Sequence, residues 1–454
     1  MGYDLSPAME PAKFTRIPVT VAWGVNSQDL NRWLILRRAW ELDSLASQDV
    51  DELEGLNELI SRNLPKAPRS LLLTVQTIRL PFEPKDYQDY PVTIRVRCGD
   101  QVQEFTTIMA VRTLPSDGNW SPGDFHIHST WSDGDLTPTM LASWFRDMGY
   151  KIAYITDHTD LIGNWVNYCD SITSSSTAYI KLYPGAEMTV RDYCDMEQMG
   201  DLLAYGVSSL TGLENKQYFP QDGVDNVLDN NPSGPSSSAI AHPCGLPGWP
   251  LSPDAYWDVE GYRGWELMAG TQTSFSASAQ PMVWWRDELT RLLSDTFANG
   301  YFASARTGSD LHGSSHPGYV TYIRTSNWTS KSSVDSTLYN GKTVASRKGG
   351  LAYMSLKFGV TTKQVGERLT GVPVNGVLYL NITLKPVVSG SYTTKVYRDD
   401  NAEAVFSTTG SYTAGGTYYP ASNYTFTFPG GSHYYYLYVY STDYIYSSPI
   451  FVKS

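Results

Sequence analysis

In the first 115 residues apolar and polar positions alternate in four runs, TRIPVTVAWG, SLLLTVQTIRL, YPVTIRVRC and VQEFTTIMAVRT, all rich in Val, Ile and Thr. A period of two with β-branched residues predicts antiparallel strands with one buried face. Between the first two runs, DVDELEGLNELISRNL sets Val50, Leu53, Leu56, Leu59 and Ile60 at helical spacing, which predicts an amphipathic helix inserted into a β-rich domain. The segment LPSDGNWSPGD at 114–124 gathers turn formers and marks a boundary.

Beyond it, short apolar runs are separated by helical stretches. Seven candidate strands are Asp124–His128, Ile152–Thr156, Lys181–Glu187, Leu202–Gly206, Ala239–His242, Gly264–Leu267 and Tyr301–Ser304. TPTMLASWFRDMGY opens with Thr137 as N-cap and Pro138 at the first helical position, and PMVWWRDELTRLLSDTFANG keeps helical spacing to a terminal Gly. Strands alternating with helices argue for a parallel sheet or barrel, and seven such units suit an irregular (β/α)7 TIM-like barrel. The last 120 residues lose the helices. There SHYYYLYVYSTDYIYSSPIFV puts Tyr434, Tyr436, Tyr438 and Tyr440 on one face and Tyr435, Leu437 and Val439 on the other, which predicts an antiparallel β-sandwich with a packed tyrosine face. The expected α/β organisation is an N-terminal β-rich domain over 1–118, a barrel over 119–335 and a C-terminal sandwich over 336–454.

A length of 454 residues agrees with about three domains, and 41% hydrophobic with 13% aromatic residues is enough to form real cores. No apolar run approaches the ~18 residues of a membrane span, and the N-terminus MGYDLSPAMEPAKF lacks the basic-then-apolar pattern of a signal peptide. With 34 Lys+Arg against 46 Asp+Glu, a formal charge of −12 and no basic cluster, no nucleic-acid partner is expected. The charge count hides one asymmetry. Of seven histidines, six lie between positions 126 and 316, and only His433 falls outside.

Barrel folds place their chemistry at the C-terminal ends of the strands, so the residues there carry the functional reading. The first strand leads into His126, His128 and Asp133, the second into Asp157 and His158, and the third into Glu187. The fourth starts next to Asp201, the fifth ends at His242, the sixth carries Glu266, and the seventh leads into Asp310 and His312. Imidazole and carboxylate without thiolate suit Zn, Mn or Fe in a catalytic rather than a structural site. With Asp157 and Glu266 set aside, nine candidate ligands exceed the needs of one ion, which points to two or three divalent metals. Such a centre activates a shared water and clamps an anionic transition state, and hydrolysis at phosphorus is its natural chemistry.

The series HxHSxxSDG, ITDH, GAE, AHP and GSDLHG, in this order over residues 120–315, resembles the PHP (polymerase and histidinol phosphatase) family of metal-dependent phosphoesterases with a (β/α)7 barrel. The approach DGNWSPGDFHIHS and the closing SSPIFV are similar to the branch that includes carbaryl hydrolase, where β modules flank the barrel. The resemblance implies a first metal on His126, His128, Glu187 and Asp310, and a second bridged by Glu187 and held by His242. A third would be held by Asp133, His158 and His312. Where the family has a histidine in a GHLLALG pattern, this chain reads GDLLAYG, so Asp201 stands in its place and favours a harder ion such as Mn²⁺. The implied activity is hydrolysis of a small-molecule phosphate mono- or diester by a metal-bridging hydroxide held by Glu187. A carbamate or carboxylic ester hydrolase on the same centre, and a binding protein that retains metals without turnover, are the alternatives.

Neighbouring residues have plainer readings beside the functional ones. Asp157 orients His158 or a neighbour; Asp124 does the same or caps a turn. Glu266 contacts the site or pairs with a barrel neighbour. Arg306 and Arg191 are ion-pair residues before they are phosphate ligands, His316 is a loop residue, and Trp131 packs or lines the pocket beside Trp165 and Trp249. Cys98, Cys169, Cys194 and Cys244 form no CxxC pair and are expected as free thiols. The sequons at Asn119, Asn327, Asn381 and Asn423 are at chance level. The branch resemblance and the Ser/Thr/Tyr-rich end favour a secreted or periplasmic protein, while the missing signal peptide leaves the cytoplasm open.

Overall fold

The computed structural model describes residues 114–115, 117–191, 198–209, 220–230, 235–243, 259–269, 280–313, 318–401 and 403–454, with the backbone of five earlier strands. The helix expected near 49–64 and the residues Cys194, Cys244, Trp249 and His316 lie outside the described residues. The chain divides into two compact units, 1–85 with 89–111, and 86–88 with 112–454.

In the first unit, β1 (Gly2–Asp4), β4 (Asp89–Cys98) and β5 (Gln101–Ala110) form an antiparallel sheet, and β2 (Phe14–Val19) pairs antiparallel with β3 (Gln76–Pro81). Strands β2 to β5 overlap the four alternating runs of the sequence, and β1 lies outside them.

The second unit is mixed α/β and rich in strands. β6 (Trp120–Asp124), β7 (Ile152–Ile155) and β8 (Lys181–Pro184) run parallel. β9 (Ala186–Arg191), β10 (Gln198–Tyr205), β11 (Ser237–Ile240), β12 (Gly264–Met268) and β13 (Ser304–Thr307) form a second sheet in that order. The uniformly parallel arrangement expected from the alternation with helices is not what forms, because β10 is antiparallel to both β9 and β11. Only a short connection joins β9 to β10, too short for the crossover that a parallel pair requires. β14 (Val320–Arg324) is likewise antiparallel to β6 and to β15 (Thr343–Ser346).

The run expected as one strand over Lys181–Glu187 is divided between β8 and β9, which lie in different sheets, and the seventh strand lies at Ser304–Thr307 rather than Tyr301–Ser304. Two further boundaries move for local reasons. The turn-rich WSPGD is strand β6, because Pro122 contributes its carbonyl to the Lys151 N–H at 2.9 Å and needs no amide of its own. The first strand therefore ends at Asp124, and His126 and His128 lie beyond it. The helix expected over 281–300 is broken at Leu292 into Gln280–Arg291 and Leu293–Asn299, and closes on Gly300 at φ 74°. Helix Pro138–Asp147 starts as expected. Thr137 accepts a hydrogen bond from the Met140 N–H at 3.3 Å, and Leu141, Ala142, Trp144 and Phe145 are buried.

The remaining strands are β16 (Leu351–Phe358), β17 (Thr361–Gln364), β18 (Arg368–Thr370), β19 (Val377–Lys385), β20 (Gly390–Arg398), β21 (Ala404–Tyr412), β22 (Tyr418–Thr427), β23 (Ser432–Ser441), β24 (Ile445–Ser447) and β25 (Ile450–Lys453). β24 pairs with β15, so the sheet that begins at β8 runs on through β6, β14 and β15 into β24, β23 and β25. Strand β23 is buried on both faces rather than one. Helix Gln280–Arg291 covers one side, with the Trp285 ring 5.4 Å from Tyr436 and the Tyr434 hydroxyl donating to the Arg286 carbonyl at 3.0 Å. Phe426 of β22 covers the other, 5.3 Å from Tyr435. A core of Phe125, Ile152, Tyr154, Tyr183, Leu203, Tyr205, Ala239 and Ala241 joins the two sheets beside the site. Among the described residues no helix is long and apolar enough to cross a membrane.

Candidate metal centre

Past the strand ends, backbone pairings pass from one candidate residue to the next. Asp310 N–H donates to His126 O, Thr156 N–H to Ile127 O, Glu187 N–H to Asp157 O, and Ala241 N–H to Asp201 O. Glu187 is opposite Leu203 in the β9–β10 ladder, β11 and β12 pair in parallel, and Gly308 N–H donates to Met268 O. The series returns to its start through Asp310. All nine predicted residues lie on this circuit or in the loops it holds.

Their side chains converge into three overlapping groups, within each of which the nearest nitrogen and oxygen atoms lie within 4.8 Å of one another. The first group is His126, His128, Glu187 and Asp310; the second is Glu187, Asp201 and His242; the third is His128, Asp133, His158 and His312. Glu187 belongs to two groups, and each of its oxygens faces two histidines. Oε1 lies 3.3 Å from His126 Nε2 and 3.1 Å from His242 Nε2, whereas Oε2 lies 3.0 Å from His128 Nε2 and 3.4 Å from His158 Nδ1. His128 is shared as well, since its Nδ1 faces Asp133 Oδ1 at 3.4 Å. The motif reading placed His128 in the first group only. Its second nitrogen gives it a second neighbourhood, which a sequence cannot reveal.

The groups differ in exposure. His126, His128 and Glu187 are fully buried, Asp310 and His242 nearly so, while the Asp133 and His312 side chains are 46% and 39% exposed. The buried groups form an inner pair and the third opens to solvent.

Divalent cations fit this donor set. His126 Nε2 and His128 Nε2 approach to 3.3 Å while both also face Glu187, so nitrogen and oxygen lone pairs point at common ground. Among the described residues the ion-pair partners of Glu187, Asp133 and Asp310 are imidazoles. Protons must then do a cation's work. Burial opposes charge on His126, yet Glu187, Glu266 and Asp310 hold it well above the usual histidine range. Burial is likewise outweighed at His128, by hydrogen bonds to Asp310 and Glu187, and at His242, by Glu187 and Asp201; both are pushed up to about 9. Glu187 and Asp310, although buried, are drawn well below the carboxylate range by these histidines. Asp201 goes the other way. Burial first, then the charge of Glu187, raises it to about 7. Cations bound there would release these protons.

Backbone geometry at the site is strained. His242 has φ 25° and Asp310 φ 50°, a region that non-glycine residues rarely occupy and that active sites tolerate when the surroundings enforce it. Asp310 is thus brought in by a left-handed residue, not by a continuing strand, because β13 ends at Thr307. Glycines explain two of the motifs. A Cβ on Gly134 of the SDG motif would lie 2.5 Å from the His128 carbonyl, and one on Gly308 of GSDLHG would collide with His126 and Glu266.

The supporting residues take definite parts. Asp157 does not hold His158. Its Oδ1 accepts from Ser129 N–H at 2.7 Å and from Ser132 Oγ at 2.5 Å, and its Oδ2 from Ser129 Oγ at 2.7 Å, which pins the loop that carries Asp133. Asp124 Oδ1 accepts from the His126 and Ser309 amides. Glu266 Oε2 lies 3.1 Å from His126 Nδ1 and accepts the His242 N–H at 2.9 Å. Arg306 is buried away from the site, donating to Ser304 Oγ and to the carbonyls of Arg263 and Leu338. Trp131 packs edge-on to Tyr168 and donates to Ser171 Oγ. Cys169 is a free thiol. Ser129 and Ser132 were not singled out from the sequence; their hydroxyl positions within HSxxSDG were the available signal.

No protein-family model matches the sequence, and no curated protein matches it. Solved structures to which it is similar include the following three. A two-domain protein of Bacteroides vulgatus containing a predicted PHP-like metal-dependent phosphoesterase is 15% identical, with TM-score 0.41 over 72% of this chain and 93% of that chain. An amidohydrolase of Chromobacterium violaceum with bound sulfate and no metal is 16% identical, with TM-score 0.29 over 42% of this chain and 87% of that one. A protein of Bifidobacterium adolescentis, assigned by inference as a metal-dependent phosphoesterase, is 16% identical, with TM-score 0.26 over 42% and 87%.

Proposed function

We propose that the chain is a metal-dependent hydrolase of the PHP type that acts on small-molecule phosphate mono- or diesters. The observation that carries this reading is the overlap of three ligand groups through Glu187 and His128, with atoms within 4.8 Å inside each group. His126, His128, Glu187 and Asp310 would hold a first cation, Glu187, Asp201 and His242 a second, and His128, Asp133, His158 and His312 a third. Bound there, such cations supply Lewis acidity, which lowers the pKa of water and offsets charge that develops at a phosphoryl group.

The chain's own residues have distinct tasks. Glu187 would be the ligand common to the inner pair, because its Oε1 faces His126 of the first group and His242 of the second. The exposed third group faces solvent, where an anionic substrate arrives. Asp157, through Ser129 and Ser132, keeps Asp133 close to His128. The circuit of backbone pairings at the strand ends supports the (β/α)7 barrel reading with one reversed strand. Of the tryptophans that would line an aromatic slot for a carbamate, Trp131 and Trp165 pack against Tyr168 at 5.9 and 5.2 Å.

The test is elemental analysis of the purified protein together with a panel of aryl phosphates, phosphodiesters and aryl carbamates. The expected result is two or three divalent metals per chain and turnover of a phosphate ester that His126→Ala and Asp310→Ala abolish. Less than one metal per chain, or turnover of carbamates alone, overturns it.

A further inference from the structure

One carboxylate oxygen outside the nine proposed ligands touches two of them. Glu266 lies on β12, is 1% exposed, and directs Oε2 at the ring of His126 (Nδ1 at 3.1 Å) and the backbone of His242 (N–H at 2.9 Å). The two histidines belong to different groups. The β12–β13 register shifts between Glu266 and Met268, an irregularity of the kind that re-aims side chains next to active sites.

We infer that Glu266 is a positioning residue that couples the two inner metal sites through this single oxygen. A carboxylate only accepts hydrogen bonds, so it selects the His126 form with a proton on Nδ1 and leaves the Nε2 lone pair facing Glu187 and Asp310. At His242 the ring has no such partner. Its Nδ1 is buried with no hydrogen-bond partner among the described residues, and its backbone is at φ 25°. The hydrogen bond that its backbone N–H donates to Glu266 is what holds that conformation, and through it the aim of Nε2 at Glu187. Gly308 belongs to the same device, since any side chain there would displace both His126 and Glu266. Among the described residues Glu266 has no hydrogen bond or ion pair to His128, Asp133, His158 or His312, so the third group stands apart from the coupling.

This inference rests on the reading of the site as a metal centre. It is tested with zinc alone as the probe, by competition with a chromophoric chelator, on wild type, Glu266→Gln and Glu266→Met. Glutamine keeps the shape and one acceptor oxygen; methionine keeps the volume and removes the acceptor. Both inner sites are expected to weaken together, roughly tenfold for Gln and up to about a hundredfold for Met, within the range for partners of ligating histidines. The outer site should stay within about twofold, as expected for a residue that acts only on His126 and His242. Nitrogen-15 spectra of the zinc-loaded wild type should show His126 protonated at Nδ1. Unchanged inner affinities in both variants, equal loss at all three sites, or an Nε2-protonated His126 overturns the inference. A wild type that binds no zinc overturns the metal-centre reading itself.

Discussion

His242 Nε2 lies 3.1 Å from Glu187 Oε1, although the residues stand 55 positions apart and approach from different strands. The strand between them, β10, pairs with both β9 and β11 and delivers Asp201, whose Oδ2 is 3.8 Å from the same His242 nitrogen. Because β10 is reversed, it is its early residue, not its last, that reaches the ligand cluster.

The shared position of Glu187 makes it the residue whose loss should cost most. Glu187→Gln is expected to lower metal content by at least one ion per chain and to reduce hydrolysis by roughly a thousandfold, as for loss of a group that organises a charged transition state. Metal analysis and steady-state kinetics on the same preparation check this.

The metal-free protein should lose stability as pH rises. His128 and His242 stand at about 9 in the folded chain against 6.5 for a free histidine. Their contribution is complete below 6.5 and lost as pH rises through 9. Asp201, raised to about 7 from 3.8, adds a loss between those values. Glu187 and Asp310, drawn down, contribute above the ordinary carboxylate range and lose it only in acid. Chelator-treated protein is therefore expected to melt roughly 5 °C or more lower at pH 9 than at pH 6.5, on the usual scale of melting shifts per kcal/mol. Zinc-loaded protein should not, because bound metal requires deprotonated imidazole.

Asp157→Ala should act on the outer group alone. It leaves the buried Ser129 amide without its acceptor, at about 1–3 kcal/mol, and frees the loop bearing Asp133. The expected outcome is roughly tenfold weaker binding of one ion with the other two retained, read by zinc titration.

Asp201→His replaces a carboxylate of the second group by imidazole. The preference between zinc and manganese should move toward zinc by about an order of magnitude, measured by competitive loading. An unchanged preference would remove Asp201 from the ligand set.

The order and types of the candidate residues were legible in the chain, because side-chain type is written there; the shared approach of His126 and His128 to Glu187 was not, since both lie beyond the end of β6 at Asp124. Helix Pro138–Asp147 was legible too, since its cap and first-turn proline act locally. Other features depend on contacts made at a distance. The extended pattern of GDLLAYG is the same whichever way the strand pairs, so only the sheet decides that β10 is reversed. The alternation in HYYYLYVY reveals two faces but not that helix Gln280–Arg291 and β22 cover both. Glu266 could have faced a neighbour or the site, and the β12 register settled it.

What the sequence by itself determined is therefore the local part: which segments extend or coil, and which donors are present in which order. The tertiary structure alone decided that Glu187 and His128 each face two groups, that Asp157 pins Ser129 and Ser132 rather than His158, and that Asp310 enters through a left-handed turn. These depend on distances between residues far apart in the chain, and a one-dimensional pattern carries no distances.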